Sequence, residues 1–376
     1  MDVYSPLKAL RHLHVVEAVR EGRLAPPVHV QVILSDLCNQ ACRFCAYRSP
    51  GYTSSELFFV EEFGAKGYRP DPAHPERNYN PARMMPYEKA VELLDDFIDM
   101  GVKAVQYTGG GEPTVHPKFP EVIAATIERD LPFSVVTNGV NVSKKCLAPF
   151  LAEASWVRVS LDAGTPGTYG QVRQVSPSQF QDALDAVSDI RDQRERQGTG
   201  CVIGVGFVVS PDNWHEVIEA AQVAKLAGAD NFRISAQFSV DDERLFDGIF
   251  DRASALCRQA EKLGDGAFQV VNRFGDRLAD LRQKRPDYDR CGYQYFTTYI
   301  GADLNVYRCC GTAYNPRGLL GSVKDKRFRA LWMDLARMDA MDTFSARSCD
   351  RCQFNALNRP LDYVIAPMPR THEEFV

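Results

Sequence analysis

The sequence predicts an α/β fold in which six parallel strand–helix units curve into a partial barrel, followed by a small region held together by cysteines. Two observations carry this. Short apolar runs alternate with amphipathic stretches between residues 28 and 235, and cysteines gather at 38–45 and again at 291–352. Strands buried on both faces and separated by helices imply parallel βαβ units with right-handed crossovers.

The elements follow in order. An amphipathic stretch at 7–20, apolar at Leu7, Leu10, Leu13, Val16 and Ala18, is expected to cap the closed end of the barrel. Strands are expected at 28–34, 104–108, 133–137, 157–161, 202–209 and 231–235. Helices are expected at 87–100, 120–129, 144–152, 180–196 and 215–227, each with apolar residues spaced three and four apart. The Pro-, Gly- and Asn-rich stretch 51–86 interrupts the rhythm and reads as an insertion over the barrel mouth, where loops carry substrate contacts. Beyond residue 240 two more helical stretches, 241–263 and 274–284, lead to the second cysteine region. The expected organisation is a helical cap (1–26), the barrel (27–240), a helical connector (241–289), a separate cysteine-held domain (290–360) and a tail (361–376).

Composition narrows the function. With 44 Lys+Arg against 49 Asp+Glu, the chain carries a formal charge of −5, so no basic surplus draws it onto nucleic acid. The N-terminus has no apolar signal-peptide core, and no apolar run reaches the ~18–20 residues of a membrane span. A cytoplasmic protein is expected. At about 150 residues per domain, 376 residues bury a core that needs no disulfides. In a reducing compartment the 11 cysteines then point to metal or catalysis. Cys146, Cys201 and Cys257 lie in helical or strand text and read as structural.

Cys38, Cys42 and Cys45 form C-x3-C-x2-C directly after the first strand. Three thiolates at a parallel strand's C-terminal end can hold one metal centre at a barrel mouth. A structural zinc would want a fourth ligand, and the neighbouring residues supply none. Three ligands on a four-iron cluster leave one iron open.

This motif, with Phe44 before its third cysteine, resembles the signature of the radical S-adenosylmethionine (SAM) superfamily, whose core is a partial (β/α)6 TIM-like barrel. The resemblance implies a 4Fe-4S cluster whose open iron chelates SAM. Reductive cleavage of SAM would then give a 5'-deoxyadenosyl radical, with a flavodoxin- or ferredoxin-type protein as electron donor. The second strand ends in TGGGEP, similar to the family's GGE motif, so Gly109, Gly110, Gly111 and Glu112 would hold the SAM amino group. Thr137 and Asn138 after strand three, and Ser160 and Asp162 after strand four, would meet the ribose, amino and carboxylate groups. Val208 would pack on adenine, and Asn213 would follow as its polar contact.

Cys291, Cys309, Cys310, Cys349 and Cys352 make up the second set, with Cys349 and Cys352 spaced as C-x2-C. Spacing alone leaves zinc and iron–sulfur open here. Behind such a barrel the layout resembles the twitch form of an auxiliary-cluster domain, related to the longer SPASM form. That implies a second 4Fe-4S cluster on Cys291, Cys309, Cys349 and Cys352, with Cys309 preferred over Cys310. Such clusters accompany oxidations and redox-neutral rearrangements. A base for an oxidation is not singled out among Tyr47, Arg48, Tyr107, His116, Arg233 and Gln237. The expected substrate is a small polar molecule, a sugar, cyclitol or nucleotide. A peptide substrate and a non-catalytic iron–sulfur or zinc protein are the alternatives.

Overall fold

The computed structural model describes residues 5–47, 83–238 and 243–365. Most of the expected insertion, together with Arg48, lies outside them. One sheet of ten strands runs through the described chain in the order β10-β9-β8-β1-β2-β3-β4-β5-β6-β7. The six expected strands are β1 (His29–Val32), β2 (Ala104–Tyr107), β3 (Phe133–Thr137), β4 (Trp156–Ser160), β5 (Val202–Val209) and β6 (Asn231–Ala236). They pair in sequence, each parallel to the next.

A short helical turn, Pro6–Arg11, precedes α1 (Leu13–Arg20). Lys8 of that turn lines a cavity with Ser155, Trp156 and Val157, at the start of β4. The turn therefore sits at the end of the sheet opposite the strand C-termini. The crossover helices are α2 (Tyr87–Met100), α3 (Phe119–Glu128), α4 (Ala148–Leu151), α5 (Pro166–Arg173), α6 (Gln179–Gln197) and α7 (Val217–Ala227). Gly101, Gly198 and Gly228 end α2, α6 and α7 in the left-handed conformation, as helix C-caps without a Cβ do. The expected helix over 144–152 shrinks to α4, because residues 141–146 form turns. Cys146 there is exposed, not a packing residue, whereas Cys201 and Cys257 are buried as expected.

The sequence reading missed α5, since its text GTPGTYGQVR holds three glycines and a proline. Thr165 rescues it by accepting a hydrogen bond from Thr168 N (3.4 Å), with Pro166 opening the helix.

Beyond β6 lie α8 (Phe250–Glu261), β7 (Gln269–Arg273) and α9 (Phe274–Gln283). β7 adds a seventh parallel strand, unforeseen because QVVNR is short and half polar. Next come β8 (Thr297–Ile300), β9 (Asn305–Tyr307) and β10 (Leu319–Ser322), then α10 (Phe328–Trp332), α11 (Leu335–Asp342) and α12 (Asn355–Ile365). β8 pairs parallel to β1 along its whole length, and β9 and β10 extend the sheet antiparallel. This corrects the expectation of a separate domain: the strands of the second cysteine region share the barrel's sheet. Thr297, Thr298, Tyr299 and Ile300 are all buried, so β8 forms core and not an exposed edge. Among the described residues no helix is long and apolar enough to cross a membrane.

Candidate functional site

β1 ends in a loop carrying Cys38, Cys42 and Cys45, closed locally by Cys45 N donating to Cys42 O (3.1 Å). The glycine turn after β2 packs directly on this loop. Gly111 N donates to Ser35 O (2.9 Å) and Glu112 N to Leu37 O (3.0 Å). A Cβ on Gly111 would lie 2.1 Å from Leu37 O, and one on Gly110 would lie 2.5 Å from Asp36 Oδ1. The glycines are thus required by the approach of one loop to another.

Glu112 is buried and gathers four donors. Its Oε1 accepts from Thr114 N (3.1 Å), Thr114 Oγ1 (2.7 Å) and Thr137 Oγ1 (2.6 Å), and its Oε2 accepts from Asn138 N (2.7 Å). Burial raises its carboxyl despite these bonds. Oε2 keeps acceptor capacity for one further donor. Asn138 Nδ2 donates to Asn39 Oδ1 (2.6 Å), and its Oδ1 accepts from Val140 N (3.1 Å). Thr137 and Asn138 therefore tie β3 to the glycine turn and to the cysteine loop.

On the other side of the loop stands the C-terminal end of α5. Ala41 N donates to Arg173 O (3.1 Å) and Arg43 N to Val172 O (3.0 Å). The buried Arg173 guanidinium donates to Gln40 Oε1 (2.9 Å), reaches Cys42 Sγ (3.6 Å) and pairs with Asp162. It also lies over the rings of Phe44 (5.9 Å) and Tyr169 (5.6 Å). Burial opposes its charge, but Asp162 and Cys42 beside it prevail and raise its pKa.

Asp162, left-handed at φ +58°, also accepts from Val208 N (2.6 Å). Its carboxylate is therefore engaged by the protein itself. Asn213 is engaged completely: Oδ1 accepts from Ser210 N (2.7 Å) and Oγ (3.1 Å), while Nδ2 donates to Asp162 O (2.8 Å) and Val208 O (2.9 Å). This corrects its expected adenine contact, because no hydrogen-bonding capacity of the amide is left over. Ser160 and Val208 are half-buried at the ends of β4 and β5.

Two candidate bases leave the field. Tyr107 is buried with its hydroxyl 2.6 Å from Thr126 Oγ1, among the outer helices. His116 is buried too, with Nε2 on Met85 O (2.8 Å) and Nδ1 accepting from Lys118 N (3.2 Å). Tyr47 Oη accepts from Tyr299 Oη (3.1 Å), Arg233 is half-buried within β6, and Gln237 is half-buried just after it.

Cys291, Cys309, Cys349 and Cys352 line one cavity of about 260 Å3, and Cys310 does not. Cys310 Sγ instead accepts from Gln353 Nε2 (3.2 Å). Burial and the neighbouring sulfurs push the Cys349 thiol up to about 12. Burial pushes Cys352 up to about 11, even though Tyr288 donates to its sulfur (3.3 Å). Phe354 N donates to Cys352 Sγ as well (3.3 Å). Thiols so placed lose their protons when a metal takes the protons' place.

Residues 32–228, more than half of the chain, match the family model of the radical SAM superfamily. The chain belongs to the radical SAM superfamily. Among curated relatives, the tungsten-containing aldehyde ferredoxin oxidoreductase cofactor-modifying protein of Pyrococcus furiosus is 27% identical over 169 residues, 44% of this chain and 47% of that protein. An S-adenosylmethionine-dependent nucleotide dehydratase of Lacinutrix mariniflava is 21% identical over 293 residues, 74% of this chain and 56% of that one. The chain thus spans about half the length of these relatives. In fold it is similar to Streptococcus suis SuiB bound to S-adenosylmethionine, with a TM-score of 0.63, 16% identity, and 95% of this chain and 79% of that one covered. It is also similar to anSMEcpe with bound AdoMet, with a TM-score of 0.56, 14% identity, and 84% and 83% covered.

Membership implies SAM and a 4Fe-4S cluster, and the first loop fits that cluster: three thiols from one loop, with a guanidinium beside one of them. The cysteine-rich C-terminal region fits a twitch/SPASM-like domain. Among the described residues no three His, Cys, Asp or Glu side chains converge tightly enough to ring a single metal ion. Arg173, Tyr288 and Tyr314 were not foreseen. For Tyr288 the density of aromatics around Cys291, in DYDRCGYQYF, is a signal that was there to use.

Proposed function

We propose that this chain is an enzyme that cleaves SAM reductively and removes a hydrogen atom from a small polar substrate, of sugar, cyclitol or nucleotide-like type. In this reading Cys38, Cys42 and Cys45 hold the SAM-binding cluster, and Cys291, Cys309, Cys349 and Cys352 hold an auxiliary 4Fe-4S cluster that supports oxidation or rearrangement. The bound cluster and SAM supply the electron and the radical precursor. The chain's residues orient them: Glu112 offers its remaining acceptor at Oε2, Asn138 its second Nδ2 hydrogen, and Ser160 a hydroxyl at the end of β4. A flavodoxin- or ferredoxin-type protein is the proposed reductant.

The observation that carries the two-cluster reading is the shared cavity of Cys291, Cys309, Cys349 and Cys352. Its volume of about 260 Å3 is several times the ~30 Å3 of one water. A zinc held at about 2.3 Å by four thiolates would draw them together around one ion. The relatives named as nucleotide dehydratases weigh toward the nucleotide-like end of the substrate range.

Anaerobic reconstitution with iron and sulfide analysis, followed by dithionite and SAM, tests this. About eight irons per chain and release of 5'-deoxyadenosine are expected, on four-iron arithmetic. Four irons with one zinc would remove the auxiliary redox cluster. No SAM cleavage in the presence of nucleotide and sugar candidates would leave a non-catalytic binding protein.

A further inference from the structure

The second cysteine region reaches back to the first through phenols. Tyr299 in β8 and Tyr314, shortly after Cys309, pack with Tyr307, Ile33, Ala302 and Ala313 into a buried cluster of their own, with Tyr47 and Cys310 against it. Ring centroids lie 6.3 Å apart for Tyr47 and Tyr314 and 6.4 Å apart for Tyr299 and Tyr314. The polar ends of the two phenols point at the parts that build the first site. Tyr314 Oη donates to Asp36 Oδ1 (2.5 Å), just before Cys38. The Tyr299 hydroxyl donates toward both Tyr47 Oη (3.1 Å), just after Cys45, and Gly109 O (3.3 Å).

These contacts are held closely. Arg83 pairs with the other oxygen of Asp36 (2.7 Å) and stacks over the Tyr314 ring (5.0 Å). A Cβ on Gly110 would come within 3.2 Å of Tyr314 Oη, and one on Gly301 within 3.2 Å of the Tyr314 ring. A core that needed only apolar bulk would accept phenylalanine at both positions. The two hydroxyls instead bracket the cysteine loop before its first thiol and after its last, and one of them also reaches the glycine turn.

We infer that Tyr299 and Tyr314 are positioning residues, a two-point latch through which the Cys309-bearing segment sets the conformation of the Cys38–Cys45 loop and the Gly109–Gly111 turn. SAM binding at the first site then depends on the second cysteine region being in place. The inference rests on the reading that the first loop carries the SAM-binding cluster and Cys309 an auxiliary one.

Full-length Tyr314→Phe and Tyr299→Phe proteins, reconstituted anaerobically beside the wild type, test it. The measurements are iron per chain, the electron paramagnetic resonance (EPR) spectrum of the reduced protein with and without SAM, and the SAM Kd. Both variants should keep the wild-type iron content. Tyr314→Phe should raise the SAM Kd about tenfold, as loss of a hydrogen bond to a buried carboxylate does, and Tyr299→Phe about threefold. Both should change the SAM-induced shift of the EPR signal, which a purely stabilising role would leave alone. Cys349→Ala should raise the SAM Kd in the wild type and do so less in Tyr314→Phe, because the latch is already open.

Unchanged Kd and EPR response in both phenylalanine variants would overturn the latch. If Tyr314→Phe does not fold, Tyr299→Phe, which strands no charge, decides by the same two readouts. A wild type whose EPR signal ignores SAM overturns the cluster reading underneath, and the two failures are thereby told apart.

Discussion

The two cysteine sites are built in opposite ways. Cys38, Cys42 and Cys45 share one short loop, and almost everything that shapes that loop comes from elsewhere: the glycine turn, Arg173 with α5, and Tyr299 and Tyr314. Cys291, Cys309 and the Cys349–Cys352 pair come from three separate stretches of the chain and meet around a cavity. Their support is local, from Tyr288, Phe354 N and Asn358 on Cys352 and from Thr312 beside Cys309. On the proposed reading, a loop that leaves one coordination position open cannot close around its own centre and needs rigid neighbours to hold it, whereas a site with four thiols would close on itself.

The largest expected effect separates the sites by their ligands. Cys349→Ala should lower reconstituted iron by about four per chain, and Cys310→Ala should leave it unchanged, because the Cys310 sulfur faces Gln353 and not the cavity. Equal losses in the two variants would place Cys310 among the ligands.

The next effect concerns the outside support of the first loop. Arg173→Met leaves Asp162 buried without its cation, which should cost about 3–5 kcal/mol of stability, read as a lowered midpoint in denaturant. Arg173→Lys should recover part of it, though an ammonium cannot reach Asp162, Gln40 and Cys42 together. A midpoint unchanged in Arg173→Met would show that α5 does not brace the loop through this side chain.

The smallest effect lies at the far end of α5. Glu216 Oε2 accepts from Gly164 N (2.8 Å) and Thr165 N (3.1 Å), and Oε1 from Thr165 Oγ1 (2.8 Å) and Thr168 Oγ1 (2.6 Å). Burial raises this carboxyl, but the four bonds outweigh it and leave its pKa below the ordinary 4.5. A depressed folded-state pKa means stability that is complete above the unfolded value and lost as pH falls through the folded one. Thermal melts from pH 7 to pH 3 should therefore fall less steeply in Glu216→Gln than in the wild type below about pH 4.5. Parallel curves would detach Glu216 from the strut that ends at Cys42.

Parts of the molecule were legible in the text for definite reasons. β5 appears at Val202–Val209 as expected, because VIGVGFVV is an unbroken apolar run, and α2 appears at Tyr87–Met100, because its apolar spacing is helical throughout. β8 was missed because TTYI is short and lies between a cysteine and a turn, with nothing local to say that it pairs with β1. Asn213 looked available as a polar group after a strand. Only folding showed that Ser210, Asp162 and Val208 use its whole amide. Arg173 lies in a stretch with no motif, and its importance comes from what Asp162 and Cys42 bring to it.

By itself the sequence determined the family, because the C-x3-C-x2-C loop and the GGGE turn are contiguous and their spacing survives without knowledge of the fold. Tertiary structure decided that β8 joins the barrel's sheet beside β1, which thiols share a cavity, and how the second cysteine region leans on the first. Those relations join residues such as Asp36 and Tyr314, or Gln40 and Arg173, whose separation along the chain leaves no periodic trace in the text. Hydrogen bonds and close backbone approach between such distant segments depend on the packed geometry of the sheet and its helices.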